Sequence, residues 1–134
     1  MILDTTYFLD LKRQDPGAFE KGLELRESTV PVRVPTHVFF ELMYGVGATQ
    51  DEEKRRLVEN VLMGYPPTSA DERVGRLAGR LLGRLEAEAR AEDESSGADI
   101  GDAYVAATAR LHDEPVLTRN AEDFEALGAE VETY

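Results

Sequence analysis

Residues 1–6, MILDTT, are the part of this sequence that most directly indicates the fold class. Three apolar residues are followed by one carboxylate, Asp4, and by the threonines Thr5 and Thr6. Such a short apolar run is typical of a buried strand, with Asp4 at its carboxyl end. Ligands of α/β proteins bind beyond the carboxyl ends of the strands, so the pattern places Asp4 near a site. Asp4 is equally explained as the N-cap of the helix that follows.

Strand and helix patterns alternate along the rest of the chain. Strands are predicted over residues 1–3, 29–35, 115–118 and 129–134. Thr5 opens a first amphipathic helix, and further helices are predicted over residues 18–26, 37–46 (with Thr36 as N-cap), 51–63, 69–92, 99–111 and 120–127. This alternation predicts an α/β sandwich around a mostly parallel sheet. The absence of a linker predicts a single domain over residues 1–134.

Length and composition exclude several classes of protein. The 134 residues can bury a core without disulfides. The chain has no cysteine, which excludes a disulfide scaffold, a cysteine-ligated zinc site and a thiol nucleophile. It has no apolar run of about 18 residues and no basic region at its start, so we expect neither a transmembrane helix nor a secretory signal. A cytoplasmic protein fits these features.

The chain is strongly acidic, with 27 Asp and Glu residues, 15 Lys and Arg residues and a net charge of −12. A negatively charged protein repels polyanions, which argues against nucleic acid as a partner. Two effects weaken that argument. Molar salt shortens the Debye length to about 3 Å, and divalent cations bridge carboxylates to phosphates.

The basic residues include only three lysines, Lys12, Lys21 and Lys54. An acid-rich, lysine-poor surface is typical of a salt-adapted, halophilic protein. We therefore expect the free energy of unfolding to fall as KCl is withdrawn, because the carboxylates then repel one another without screening. Urea denaturation at several KCl concentrations measures this effect. A free energy of unfolding that does not depend on salt would contradict the hypothesis.

Glu41 interrupts residues 38–44, a run that is otherwise free of charge. A helix this apolar is expected to be largely buried, and burying an unpaired carboxylate is costly. Glu41 would then need a cation, a hydrogen-bond network or a raised pKa. The alternative is that Glu41 occupies the one exposed position of its helix.

Two further helices begin with paired polar residues. Asp99 is the predicted N-cap of one helix and Asp102 its third residue, and Asn120 and Asp123 repeat this arrangement. Because any helix N-terminus stabilises acids, capping alone explains each pair.

The joint pattern favours a shared site. Asp4, Glu41, Asp102 and Asp123 could all point to one end of the sheet, where several carboxylates need a divalent cation. Mg²⁺ or Mn²⁺ in such a site activates water for in-line attack at phosphorus.

Glycine recurs every four residues at Gly75, Gly79 and Gly83, beside a stripe of arginines. Each glycine inside a helix costs about 1 kcal/mol relative to alanine. A close contact between helices or between chains could offset that cost. The other interpretation is a solvated arginine face paired with glutamates.

Four ordered stretches, MILDTT at residues 1–6, FFELMYGV at 39–46, DAYVAATA at 102–109 and PVLTRNAEDF at 115–124, resemble the signatures of the PIN-domain family, and of its VapC toxins in particular. The resemblance covers nearly the whole chain. It implies a three-layer α/β/α sandwich of the PIN type. It also implies a Mg²⁺- or Mn²⁺-dependent endoribonuclease of a VapBC toxin–antitoxin system, with an RNA substrate, a homodimer and a cognate antitoxin.

The resemblance also assigns roles to residues. It implies that Asp4 and Asp102 hold the metal and that Glu41 is the second acid of a catalytic quartet. By the same resemblance, water attacks the phosphodiester in line while the metal neutralises charge on the phosphate oxygens.

The fourth acidic position departs from the family pattern. The residue after Thr118 and Arg119, often acidic in the family, is Asn120 here, and Asp123 is expected to supply the charge. The resemblance implies that Thr6 and Thr118 orient the acids by hydrogen bonds. Asp99 has no firm match and is interpreted as a helix cap.

Arginines are the candidate RNA contacts, because phosphates attract them. The candidates are Arg76, Arg80, Arg84 and Arg119. Neither His37 nor His112, the only histidines, needs to be catalytic.

Two other functions compete with the nuclease. One is a non-catalytic PIN-like module that binds RNA or a partner. Metal-dependent cleavage of RNA that is lost in an Asp4→Asn or Asp102→Asn variant would exclude it, whereas equal cleavage by wild type and variant would indicate a contaminant. The other is a phosphotransfer protein, such as a receiver domain or a small phosphatase. Proteins of that class have a lysine near the site on a late strand of the sheet, and no lysine follows Lys54 in this sequence.

Overall fold

The computed structural model describes all 134 residues as seven helices and five short strands. In chain order the elements are β1 (Ile2–Leu3), α1 (Thr5–Lys12), α2 (Pro16–Glu27), β2 (Val34–Pro35), α3 (Thr36–Thr49), α4 (Glu52–Leu62), β3 (Pro67–Thr68), α5 (Glu72–Ala91), α6 (Ile100–His112), β4 (Val116–Leu117), α7 (Ala121–Ala126) and β5 (Val131–Glu132). None of the helices has both the length and the hydrophobicity that crossing a membrane requires.

Every strand pairing is parallel. Strand β1 pairs with β4 and β4 with β5, while β2 pairs with β3. The two groups are joined where Ile2 bridges Arg33, through the Leu3 amide and the Arg33 carbonyl at 2.9 Å. The parallel α/β architecture expected from the sequence is therefore confirmed. Since parallel strands end at the same edge, the residues that follow β1, β2 and β4 lie near one another.

The core is one cluster of 23 buried hydrophobic residues centred on β1 and β4. Each fully buried aliphatic side chain stabilises the fold by about 1.5–3 kcal/mol. Helix α6 contacts β1, β2 and β4, and its buried face includes Ala103, Ala106 and Ala107. Such small side chains let a helix lie close to a sheet, which fixes the first turn of α6 near the ends of the strands.

The structure corrects several element boundaries. The strand predicted over residues 29–35 is reduced to β2, because Pro31 has no amide hydrogen to donate to a sheet. Strand β3 was not predicted, since Pro66 and Pro67 indicated only the end of a helix. Thr36 is not the N-cap of α3. The helix begins at Thr36, the N-cap is Pro35, and the Thr36 hydroxyl donates to the Thr68 carbonyl at 3.1 Å.

Helix α3 is less buried than its apolar sequence predicts. Only Val38, Leu42 and Val46, spaced four residues apart, are buried in the core. Phe40 and Tyr44 are 60% and 69% exposed. The apolar residues of α3 therefore cover two faces of the helix, and only one of these faces packs against the core.

The glycines of α5 do not make the predicted close contact within this chain. A Cβ at Gly75 would lie 3.8 Å from the Tyr104 hydroxyl, and at Gly79 or Gly83 it would meet nothing within 4 Å. The helix packs instead through residues such as Val74, Ala78 and Leu81. A contact between chains at the glycines stays a prediction.

Replacing Gly79 or Gly83 by alanine is expected to stabilise the protein by about 0.5–1 kcal/mol per site. Alanine restricts the unfolded chain and favours the helix, and there is open space for the added methyl group. The free energy of unfolding in urea measures the effect. Destabilisation that grows with protein concentration would instead place these glycines in a contact between copies.

Candidate active site

Asp4 directly follows β1 and is the N-cap of α1. It therefore lies at the end of a strand and also caps a helix, as its position in the sequence suggests. As the N-cap of α1 it accepts a bond from the Thr6 amide at 3.4 Å. The same oxygen, Oδ2, accepts bonds from the Thr6 and Thr118 hydroxyls, each at 2.8 Å. The side chain is held in one orientation, and its second oxygen, Oδ1, receives no hydrogen bond from the protein.

Asp102 is the third residue of α6 and forms a reciprocal capping pair with Asp99, as the sequence predicts. The Asp99 amide donates to Asp102 Oδ2 at 2.9 Å, and the Asp102 amide donates to Asp99 Oδ1 at 3.0 Å. The pKa of Asp102 is raised to about 6, first by burial, although the bond from the Asp99 amide lowers it. The carboxylates of Asp99, Asp4 and Asp123 also raise it. Negative charge is therefore concentrated here without a balancing cation from the protein.

Glu41 projects from α3 one turn after His37. The Thr5 hydroxyl donates to Glu41 Oε2, and His37 Nε2 lies 3.4 Å from Oε1. The Glu41 side chain is 32% exposed. Of the alternatives open from the sequence, partial exposure together with a hydrogen-bond network describes this carboxylate.

Asp123 and Asn120 are joined at the start of α7. Asn120 occupies the N-cap position, but its side chain makes no capping bond. Its amide nitrogen Nδ2 instead donates to Asp123 Oδ2 at 2.5 Å, while its backbone amide donates to the Thr118 hydroxyl at 2.9 Å. Asn120 lines the cleft described next, whereas Asp123 does not line it and acts on Asp102 through its charge.

An open cleft of about 590 Å³ lies at this edge of the sheet. Its lining residues come from the starts of α1 and α6, from one face of α3, and from the loop before α7; they are Asp4, Thr5, Thr6, His37, Phe40, Glu41, Tyr44, Asp99, Ile100, Gly101, Asp102 and Asn120. Three predicted acids, Asp4, Glu41 and Asp102, therefore share one cleft. No lysine or arginine lines it.

A sequence model of the PIN domain matches residues 1–130. The chain belongs to the PIN domain family. Members of this family are generally nucleases, so the membership supports a hydrolase acting on nucleic acid. A search of curated protein sequences found no significant match.

Solved structures share the fold of this PIN domain along almost their whole length. VapBC2 of Rickettsia felis, solved with a fragment of promoter DNA, has a TM-score of 0.80 at 18% identity, over 99% of this chain and 97% of that one. VapBC of Salmonella typhimurium, bound to DNA, has a TM-score of 0.77 at 21% identity, over 98% and 96%. FitAcB of Neisseria gonorrhoeae has a TM-score of 0.71 at 22% identity, over 97% and 94%. The predicted three-layer α/β/α fold of the PIN type is confirmed.

His37 and Gly101 belong to the cleft of this PIN domain, although sequence reasoning gave neither a role. The His37 ring stacks on Tyr104 at 6.2 Å, with an angle of 8° between the planes. A Cβ at Gly101 would lie 2.3 Å from His37 Nε2, so only glycine lets the histidine sit here. The spacing of four residues between His37 and Glu41 was the available signal, because it places both on one face of a helix.

The candidate arginines all lie outside the cleft. On α5, Arg76 pairs with Glu72 at 2.5 Å and Arg84 with Glu88 at 3.7 Å, on an exposed face. These pairs agree with the interpretation of a solvated arginine face. The structure shows no contact between Arg80 and the acids of the cleft.

Arg119 is engaged elsewhere. Its guanidinium pairs with Asp15 at 2.7 Å and with Asp10 at 3.3 Å. It also lies over the Tyr134 ring at 4.7 Å. A phosphate would have to compete with these three partners for Arg119.

The donor set of the cleft suits a hard divalent cation. No three acidic or histidine side chains are arranged to enclose an ion on their own. Mg²⁺, however, is commonly held by one or two carboxylates and keeps several waters. Asp4, with Oδ1 free of hydrogen bonds, and Asp102, with its raised pKa, provide such a pair.

Proposed function

We propose that this chain, as one PIN domain over residues 1–134, is a metal-dependent endoribonuclease that hydrolyses RNA phosphodiester bonds. The observation that carries the proposal is the meeting of Asp4, Glu41 and Asp102 in one open cleft, with the pKa of Asp102 raised to about 6. Repelling carboxylates of this kind are tolerable when a cation binds between them. Asp4 and Asp102 would hold Mg²⁺ or Mn²⁺. The bound ion would make water a better nucleophile and neutralise charge on the phosphate.

The protein residues around the ion have separate tasks in this proposal. The hydroxyls of Thr6 and Thr118 orient Asp4 by holding Oδ2, which leaves Oδ1 available for the ion. Glu41 would accept the proton of the attacking water, because its carboxylate lines the same cleft as Asp4 and Asp102. Asn120 lines the cleft and donates a hydrogen bond to Asp123, which contributes negative charge without lining the cleft.

The proposal extends to a toxin of a type II toxin–antitoxin pair in the cytoplasm. The solved structures with this fold include VapBC, FitAcB and FitAB proteins, three of them bound to DNA. Their likeness supports a cognate antitoxin as a partner of this chain, and the homodimer is proposed from the resemblance to VapC toxins. Expression together with the product of a small neighbouring gene, followed by purification of both, tests the antitoxin. A mass measurement in solution tests the homodimer.

The function itself is tested by incubating purified protein with end-labelled RNA and Mg²⁺ or Mn²⁺, at high and low KCl. We expect internal cleavage that requires the ion and stops in EDTA. Return of activity when excess Mg²⁺ follows the EDTA would show that the chelator did not damage the protein. Cleavage that continues in EDTA, or that never appears with either ion, would refute a metal-dependent nuclease.

A further inference from the structure

Three ring-bearing side chains form one wall of the cleft. His37, Phe40 and Tyr44 project from α3 at spacings of three and four residues, which places them on one face of the helix. All three line the same cleft as Asp4 and Asp102. We call these three side chains the aromatic wall.

The aromatic wall is continuous and largely in water. The ring centres of His37 and Phe40 are 5.6 Å apart, and those of Phe40 and Tyr44 are 6.0 Å apart. The planes are tilted by 42° and 31°, so no ring is packed edge-on against its neighbour. With Phe40 60% and Tyr44 69% exposed, large apolar surfaces border the acidic floor without a partner in this chain.

The charges of the cleft make the aromatic wall significant for substrate binding. Most proteins gain affinity for nucleic acid by neutralising phosphates with lysine and arginine. Here no lysine or arginine lines the cleft, and the chain carries a net charge of −12. Stacking of bases on aromatic rings is the other source of affinity that tolerates any sequence, because every base has a π face.

We infer that Phe40 and Tyr44 are a stacking surface for unpaired bases of a single-stranded RNA, next to the phosphate that is cleaved over Asp4 and Asp102. The inference rests on the proposed function and names the two side chains that would hold the bases. His37 anchors the inner end of the wall, since its ring is already stacked on Tyr104. Bases inside a duplex are stacked on one another and cannot use this surface.

Steady-state cleavage of a single-stranded RNA tests the stacking surface. Phe40→Ala and Tyr44→Ala are each expected to raise KM about tenfold, the scale of one lost base–ring stack, while kcat changes less than about twofold. Phe40→Trp should keep KM near that of the wild type. Phe19→Ala is the matched control, because Phe19 is also 60% exposed but lies on α2, outside the cleft.

A second experiment on the stacking surface removes bases from the RNA. An RNA without the bases beside the cleaved bond should raise the KM of the wild type as much as the double variant Phe40→Ala/Tyr44→Ala does. On the double variant the missing bases should raise KM no further, since the two changes remove the same contacts. Equal KM values for wild type, Phe40→Ala and Tyr44→Ala would overturn the inference, and so would independent, additive losses.

A measurement of RNA binding tests this inference independently of the proposed nuclease function. Anisotropy of a fluorescein-labelled single-stranded RNA with Mg²⁺ reports affinity whether or not cleavage occurs. Wild-type binding that weakens in Phe40→Ala, without any cleavage, would support the stacking surface and refute the nuclease. Cleavage with unchanged affinity in both variants would do the reverse. If the alanine variants turn an assembly of copies into monomers in sedimentation, the aromatic wall is a contact between chains and the inference fails.

Discussion

Asp102→Asn is expected to lower kcat for RNA cleavage about a hundredfold or more, and Asp4→Asn to do the same. Each substitution removes one of the two carboxylates proposed to hold the ion, and loss of the several kcal/mol that a metal contributes to the transition state has this scale. Asparagine is nearly the same size and keeps an oxygen that can accept the bonds now made to Asp102 Oδ2 and Asp4 Oδ2. The fold should therefore persist, as circular dichroism can verify. Rates are measured on end-labelled RNA at saturating Mg²⁺.

The matched control is Asp113→Asn at the opposite end of α6. Asp113 is exposed and has a φ of 54°, a conformation that asparagine adopts readily. It changes the net charge by the same amount outside the cleft, so its kcat should equal that of the wild type. Cleavage by Asp4→Asn and Asp102→Asn at the wild-type rate would show that the activity does not arise in this cleft.

The second large effect is on the free energy of unfolding. Asp102→Asn, which is expected to lower activity, is expected to raise stability. Without metal, Asp102→Asn is expected to be more stable than the wild type by about 1 kcal/mol near pH 8 and equally stable near pH 3. The pKa of Asp102 is raised from 3.8 to about 6 in the folded protein, so folding favours its protonated form. Its contribution to stability is therefore full below about pH 4 and is lost as pH rises through about 6. Each unit of pKa corresponds to about 1.4 kcal/mol, and solvent around this half-exposed site reduces the total.

Urea denaturation in EDTA from pH 3 to 8 measures the difference between the two proteins. Mg²⁺ should then raise the Tm of the wild type and leave that of Asp102→Asn nearly unchanged, because binding to the folded state alone stabilises it. Asp113→Asn should follow the wild type at each pH. If the difference in free energy of unfolding between wild type and Asp102→Asn were the same at every pH, the ionised Asp102 carboxylate would not be the cause of the difference.

The sequence predicted those parts of the fold that depend on local patterns. The apolar run that ends at Asp4 and the capping pair of Asp99 and Asp102 are encoded within a few residues, and the structure shows both. The parallel arrangement followed from alternation, and the shared edge of parallel strands brought Asp4 and Asp102 into one cleft. Their roles in catalysis stay predictions, since no geometry alone tests them.

The remaining features depend on partners distant in sequence. A strand of two residues such as β3 is defined by its pairing with β2, and no pattern of that length marks it. The apolar residues of α3 carry no signal that Phe40 and Tyr44 are left in solvent. The role of His37 required its contact with Gly101, which lies 64 residues further along the chain. Arg119 looked available because Asp10, Asp15 and Tyr134 are remote from it until the chain folds.

The acids of the cleft are also helix caps, and this bears on the order of events during maturation. Asp4 caps α1, while Asp99 and Asp102 cap α6. A helix N-terminus carries partial positive charge, which offsets part of the repulsion before any cation arrives. The polypeptide can thus complete its folding first and capture its ion afterwards. Newly synthesised chains should reach their native shape in magnesium-depleted medium and gain activity within the time of ion diffusion.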